Sequence, residues 1–354
     1  MSLDATRSNV VNLSAVAHPR DTLGRPLHDL RISVMDRCNF RCPYCMPKDT
    51  FHANYRFLKT NERLSFEEIT RLARLFAGLG VKKVRLTGGE PLLRTNLSEL
   101  VGELTALDGV QDVALTTNAV LLSQHAAELK ANGLHRITVS LDTLDPEIFR
   151  RMSGGFAELD RVLQGIQAAV DAGLTPIKIN AVIERGVNDH TALDLVERFR
   201  GTGIIVRFIE YMDVGNRNQW SLDRVVPSRE LVARISERWP LRAAQQNYRG
   251  EVAERYEFAD GGGEVGFISS VTNAFCGDCT RARLSSEGVF YTCLFANAGL
   301  DLRTPLRNGA SDDDLLDLIR NTWQRRSDRY SELRSTLPPG EQPLRKIEMY
   351  YIGG

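Results

Sequence analysis

Apolar and polar positions fall into a regular alternation over the first two thirds of the chain. Short runs rich in β-branched residues recur at 29–35, 82–87, 113–117, 136–141, 177–183 and 205–209. Between them, apolar residues return every three or four positions, the period of a helix with one buried face. The clearest helices are 65–79, 123–132 and 159–172, followed by Gly80, Gly133 and Gly173, the expected stop signal. Ser65 with Glu68 three residues on forms a capping box at the first of them.

Six strand–helix repeats in succession predict parallel strands joined by right-handed crossovers. Six are too few to close an eight-stranded barrel. A doubly wound sheet and an incomplete barrel both remain, and the polar residues on the strands choose between them. Arg31 and Ser33 share a strand face, as do Lys83 and Arg85, and Lys178 and Asn180. Strands covered on both faces read as continuous apolar runs. Charges at period two therefore predict an open, ligand-filled interior, as in a partial barrel.

The pattern changes near Leu241. Residues 241–263 are polar and glycine-rich. Beyond them the sequence predicts a strand at 264–270 and a hairpin joining 282–284 to 289–293 through Ser286-Glu287-Gly288. A helix at 311–326 opens on three aspartates, which suit its N-terminal dipole, and a last strand at 346–352 precedes Gly353-Gly354. The expected organisation is a flexible tail at 1–21, a barrel at 22–245 and a second region at 246–354.

The charge balance is 45 basic against 45 acidic residues, so no global field draws nucleic acid or an anionic membrane. No apolar run approaches the roughly 18 residues of a membrane span, and the N-terminus lacks the apolar core of a signal peptide. A cytoplasmic location is expected, where thiols stay reduced and serve as metal ligands more often than as disulfides.

All six cysteines fall into two trios, Cys38-x3-Cys42-x2-Cys45 and Cys276-x2-Cys279-x13-Cys293. Each is one ligand short of the usual four. The first follows strand one, at the strand end where α/β folds place their sites. It reads either as zinc completed by His52 or as a compact cluster open at one metal. For the second, all six histidines precede Cys276, leaving Asp278 as the only nearby substitute. Arg281 and Arg283, at spacing two on an extended segment, project the same way, as a fork for phosphate oxygens.

The first trio, with aromatic Tyr44 before its third cysteine, resembles the signature of the radical S-adenosylmethionine (SAM) superfamily. Gly88-Gly89-Glu90-Pro91, ending strand two, is similar to the loop that holds the amino group of SAM there. The second trio with Thr280-Arg281-Ala282-Arg283-Leu284 resembles the GTP 3′,8-cyclase family of molybdenum cofactor biosynthesis. So do Asp36–Cys42, Leu115–Asn118, Ile209–Gly215 and the terminal diglycine. The resemblance covers about residues 22–354.

It implies an incomplete (β/α)6 barrel of TIM type with a C-terminal α+β extension carrying a second cluster. It implies two [4Fe–4S] clusters, one on Cys38, Cys42 and Cys45 binding SAM, the other on Cys276, Cys279 and Cys293 binding GTP. Tyr44, Gly89, Ser140 and Met212 would contact SAM. Arg31, Lys83, Arg85, Thr116, Lys178, Arg281 and Arg283 would contact GTP. The implied reaction is a lyase chemistry: a 5′-deoxyadenosyl radical takes the ribose 3′ hydrogen and GTP becomes (8S)-3′,8-cyclo-7,8-dihydroguanosine 5′-triphosphate. An external electron donor, cyclic pyranopterin monophosphate synthase downstream and a homodimer are expected on the same ground, as is a diglycine tail that reaches the active site. A radical SAM peptide-modifying maturase and a zinc-stabilised scaffold are the rival readings.

Overall fold

The computed structural model describes residues 18–215, 218, 220–248, 250–334 and 346–353. Most of the expected N-terminal tail, and Gly354, lie outside the described residues. Asp21, at that tail's end, is buried and accepts from the Arg25 Nε at 2.5 Å.

The six strands read from the sequence form a parallel run in chain order. They are β1 (Asp29–Ser33), β2 (Lys83–Thr87), β3 (Asp112–Thr117), β4 (Arg136–Ser140), β5 (Ile177–Ile183) and β6 (Ile205–Glu210). Helices α1 (Phe66–Gly78), α2 (Leu97–Thr105), α3 (Leu122–Ala131), α4 (Pro146–Met152), α5 (Leu159–Asp171), α6 (Ala192–Phe199) and α7 (Ser228–Arg238) accompany them. The Ser65–Glu68 capping box is formed as expected. Helix α1 turns Ile69, Leu72, Ala73 and Phe76 inward, the spacing that makes one buried stripe.

The second region extends this sheet at both ends. Residues 241–263, polar in sequence, hold β7 (Leu241–Ala244) and β8 (Glu254–Phe258), antiparallel to one another. Strand β9 (Glu264–Ile268) lies parallel to β6 and antiparallel to β8. At the other end β10 (Arg281–Leu284) lies parallel to β1, followed by β11 (Val289–Tyr291) and β12 (Leu300–Asp301). The order is β12-β11-β10-β1-β2-β3-β4-β5-β6-β9-β8-β7, one sheet of 12 strands.

Helices α8 (Arg303–Arg307), α9 (Asp312–Gln324) and α10 (Tyr330–Leu333) follow, with Ser311 capping α9. The last expected strand is corrected: Met349–Ile352 is a short helix, α11. The aromatic run there reads as β from sequence. Yet β1, against which it comes to rest, already pairs on both edges with β2 and β10. Tyr350 instead packs on Phe51, ring centroids 4.7 Å apart.

Candidate active site

The sheet register builds the site. Asp29 of β1 lies opposite Arg281 of β10 and Lys83 of β2; two residues on, Arg31 lies between Arg283 and Arg85. Since side chains alternate between faces, both rows point the same way, into one cavity. Ten basic side chains and four carboxylates line that cavity. A chain of zero net charge has thus gathered ten of its 45 basic residues around one space, which suits a polyanion.

The strain of that gathering is visible. Burial, and the like charges of Arg283, Arg281 and Arg85, hold Arg31 well below the usual arginine range. Burial and Arg281 bring Arg283 down to about 10; burial, Arg207 and Arg136 bring Lys178 down to about 8. The side chains are nonetheless fixed. Arg85 donates to Thr116 Oγ1 at 2.9 Å and Thr138 Oγ1 at 3.1 Å. Lys83 donates to the Tyr248 hydroxyl at 2.7 Å. Burial works against the Asp29 carboxylate, but His28, Lys83 and Thr280 hold it near 2.

All seven residues expected to contact nucleotide phosphate or base line the cavity: Arg31, Lys83, Arg85, Thr116, Lys178, Arg281 and Arg283. So do Cys276, Cys279 and Cys293, and Tyr44 and Met212 from the opposite set. Cys38, Cys42, Cys45, Gly89 and Ser140 are not in the lining, so Tyr44 rather than Cys38 represents the first loop there. The Tyr44 hydroxyl donates to Asp142 Oδ2 at 2.7 Å, tying the loop to the segment after β4. Asp142 Oδ1 in turn accepts from the Val182 N–H at 2.8 Å, which reaches β5.

The glycines after β2 serve close packing. A side chain at Gly88 would meet the Met35 carbonyl, and one at Gly89 the Arg37 carbonyl, so the two loops lie backbone to backbone. Glu90 is held within the fold. It is buried and accepts from Thr117 Oγ1 at 2.7 Å, the Asn118 N–H at 2.8 Å and the Leu92 N–H at 3.0 Å.

Four lining cations were not foreseen as nucleotide contacts: Arg25, Arg136, Arg207 and Arg326. Arg207, held by Asn180 Oδ1 at 3.0 Å, was legible by the same period-two rule that marked Lys178 and Asn180. Arg136 opens β4 and donates from Nε to Asp112 Oδ1 at 2.9 Å. Arg25 and Arg326 had no local signal. Arg25 donates to the carbonyls of Cys276 at 2.7 Å and Asp328 at 2.9 Å. Arg326 donates to the Cys279 carbonyl at 2.7 Å. At the far end of the chain the Arg283 guanidinium donates to the Gly353 carbonyl, and a side chain at Gly353 would collide with Thr87.

Each trio offers three thiols, the soft donors that iron–sulfur groups take. His52 is exposed, and its Nδ1 accepts from the Asn54 N–H at 3.2 Å. Burial and neighbouring thiols raise Cys42, and burial pushes Cys38 up to about 12, so a metal must displace their protons.

The profile of the radical SAM superfamily matches residues 32–199, and that described as Molybdenum Cofactor Synthesis C matches 204–332. The crystal structure of Streptococcus suis SuiB bound to S-adenosylmethionine superimposes with a TM-score of 0.57, covering 84% of this chain and 68% of that one at 18% identity. Its complex with the precursor peptide SuiA gives 0.58 at 17% identity, a likeness of fold. Fold and first cysteine loop together define a radical SAM enzyme, a class that works with SAM and an iron–sulfur cluster.

Full-length relatives narrow this. GTP 3′,8-cyclase of Xanthomonas axonopodis pv. citri is 54% identical over 95% of this chain and 98% of its own length. That of Acidothermus cellulolyticus is 52% identical over 95% and 99%, and that of Staphylococcus epidermidis 46% over 95% and 98%. The chain belongs to the GTP 3′,8-cyclase family.

Proposed function

We propose that this chain converts GTP to (8S)-3′,8-cyclo-7,8-dihydroguanosine 5′-triphosphate, the first step of molybdenum cofactor biosynthesis. The observation that carries this reading is the cross-strand row Arg283–Arg31–Arg85 in the same cavity as Cys276, Cys279 and Cys293. A triphosphate fits the row, and the cysteines stand where a group could hold the base.

Two [4Fe–4S] clusters are part of the proposal: one on Cys38, Cys42 and Cys45, the other on Cys276, Cys279 and Cys293. When bound, the first cluster supplies one-electron reductive cleavage of SAM, and so hydrogen abstraction from a ribose carbon. The chain's own groups bind, orient and exclude. Arginine forks match phosphate oxygens and fix the triphosphate in register with the sheet. Lys178 and Thr116 face the nucleotide from β5 and β3. Tyr44 and Met212 present the SAM side, with Gly89, just after β2, and Ser140, at the end of β4, supporting. Gly353, held by Arg283, brings a side-chain-free end to the phosphate row. Positioning of this kind is the protein's main contribution where a cofactor supplies the chemistry.

The division into a barrel at 22–245 and a second region at 246–354, a homodimer, a cytoplasmic location, an external electron donor and the downstream synthase complete the proposal. No described helix is long and apolar enough to cross a membrane.

The test is anaerobic incubation of reconstituted protein with GTP, SAM and a reductant. Formation of 5′-deoxyadenosine together with a cyclised nucleotide is expected, on protein carrying about eight irons per chain. Cleavage of SAM that ignores GTP would favour a peptide-modifying enzyme; zinc without iron would return the chain to the scaffold reading.

A further inference from the structure

The two cysteine trios differ in the donors that reach their sulfurs. In the first, the Cys38 sulfur accepts from the Phe40 N–H at 3.3 Å, and Asn118 Nδ2 lies 3.9 Å away. Both donors are neutral. Glu90 acts on Cys38, Asp142 on Cys42 and Glu348 on Cys45, and the cation beside the trio, Arg41, donates to the Cys38 carbonyl at 2.7 Å and not to a sulfur. In the second trio, the Cys279 sulfur takes two charged donors, Arg281 Nη2 and Arg326 Nη2, each at 3.2 Å.

Arg326 is built into this place. Its side chain is 1% exposed. Its Nη1 donates to the Cys279 carbonyl at 2.7 Å and to Asp21 Oδ2 at 3.3 Å. Its guanidinium lies over the Trp323 ring, 4.5 Å from the centroid. With both terminal nitrogens turned to Cys279, it is not arranged as part of the phosphate row.

We propose that Arg326, together with Arg281, makes Cys279 an electron-poor ligand and so raises the reduction potential of the second cluster above that of the first. The inference rests on the two-cluster reading. Charge-assisted N–H donors draw electron density from a thiolate, weaken its donation to iron and favour the reduced cluster. The same withdrawal makes the open iron a stronger Lewis acid toward a heteroatom of the nucleotide base. The first cluster, with only neutral donors on its Cys38 sulfur and three carboxylates acting on its thiols, stays electron-richer, which suits a centre that must give an electron to a sulfonium. Arg326 acts through Cys279 and is a positioning residue.

The experiment compares full-length wild-type protein, Arg326→Gln and Arg326→Lys after anaerobic reconstitution. Iron is counted, and both clusters are titrated potentiometrically by electron paramagnetic resonance. The second cluster is assigned as the one whose signal shifts on adding GTP, the first as the one that responds to SAM. The expected result for Arg326→Gln is a reduction equilibrium of the GTP-responsive cluster lowered by about tenfold or more, which is about 59 mV for one electron. Arg326→Lys should fall between, and the SAM-responsive cluster should not move. Equal midpoints in all three proteins overturn the proposal. If Arg326→Gln melts like wild type but keeps only about four irons, retention of the cluster by Arg326→Lys supports a need for charge at the thiolate; its loss from both overturns that account in favour of packing. A wild-type count of about four irons sinks the two-cluster reading itself, and this inference with it.

Discussion

Replacing Arg31 with methionine should make the empty protein more stable and the enzyme worse. Arg31 sits between Arg283 and Arg85 on adjacent strands, with Arg281 also acting on it. Neighbouring strands are about 4.8 Å apart, and guanidinium tips splay, so roughly 6 Å is a fair separation. At an effective dielectric of about 20, two unit charges at that distance repel by roughly 3 kcal/mol. Screening by water in the open cavity reduces the net relief to about 1–2 kcal/mol. Methionine keeps most of the apolar stem. The nucleotide-free variant should therefore melt about 2–6 °C above wild type. GTP binding should suffer in return: charge-assisted hydrogen bonds contribute about 1.5–3 kcal/mol, so affinity should fall roughly 10- to 150-fold. Thermal melts of reconstituted protein with and without GTP, and calorimetric titration with GTP, measure both halves. A variant that melts lower without GTP and binds GTP as tightly as wild type would refute the reasoning, because the row would then be a structural network and not a strained anion site.

Three further outcomes follow from the geometry. Lys178, pushed down to about 8, is charged below that pH and neutral above it, so the KM for GTP should rise as pH passes 8; the Lys178→Arg variant, charged throughout, should show no such inflection. The same depression means that the empty wild-type protein loses stability as pH falls from the ordinary lysine value of 10.5 towards 8, since only the unfolded chain takes up the proton there. Gly353→Ala places a methyl group against Thr87 at a φ of +72°, a backbone strain of about 1–2 kcal/mol before the clash; formation of the cyclised nucleotide should drop while the melting temperature stays near wild type. Asp213→Ala removes the carboxylate that pairs with Arg334 at 2.7 Å and Lys346 at 2.6 Å, leaving two buried cations; chemical denaturation should register a loss of about 3–5 kcal/mol.

The sequence carried the barrel plainly because its logic is local. Each of β1 to β6 has its own apolar alternation and its own following helix. Arg31, Lys83 and Arg85 betrayed the cavity by breaking that alternation on a single face. The trios were legible for the same reason, since all ligands of each lie within 18 residues. Features that depend on distant pairing were not legible. Nothing in Arg281–Leu284 says that it will lie beside β1, near the other end of the chain, yet that pairing creates the row Arg283–Arg31–Arg85. Arg25 and Arg326 reach the second trio from either end of the chain, and no spacing rule connects them. The donors that hold Glu90, two of them from the end of β3, were not legible either. The run at 346–352 looked like a strand because propensity knows nothing of whether a sheet edge is free.

The insertion of β10 beside β1 also orders events in time. The first cysteine trio is complete once the chain has been made as far as Cys45, and its supporting partners Asn118 and Asp142 come soon after. The anion row has no left-hand member until residues 281–284 exist, and the last contact to Arg283 waits for Gly353, next to the final residue. A growing chain therefore holds the first trio long before the row Arg283–Arg31–Arg85 is whole. A chain cut short before Arg281 keeps Arg31 beside Arg85 but lacks the third member of the row.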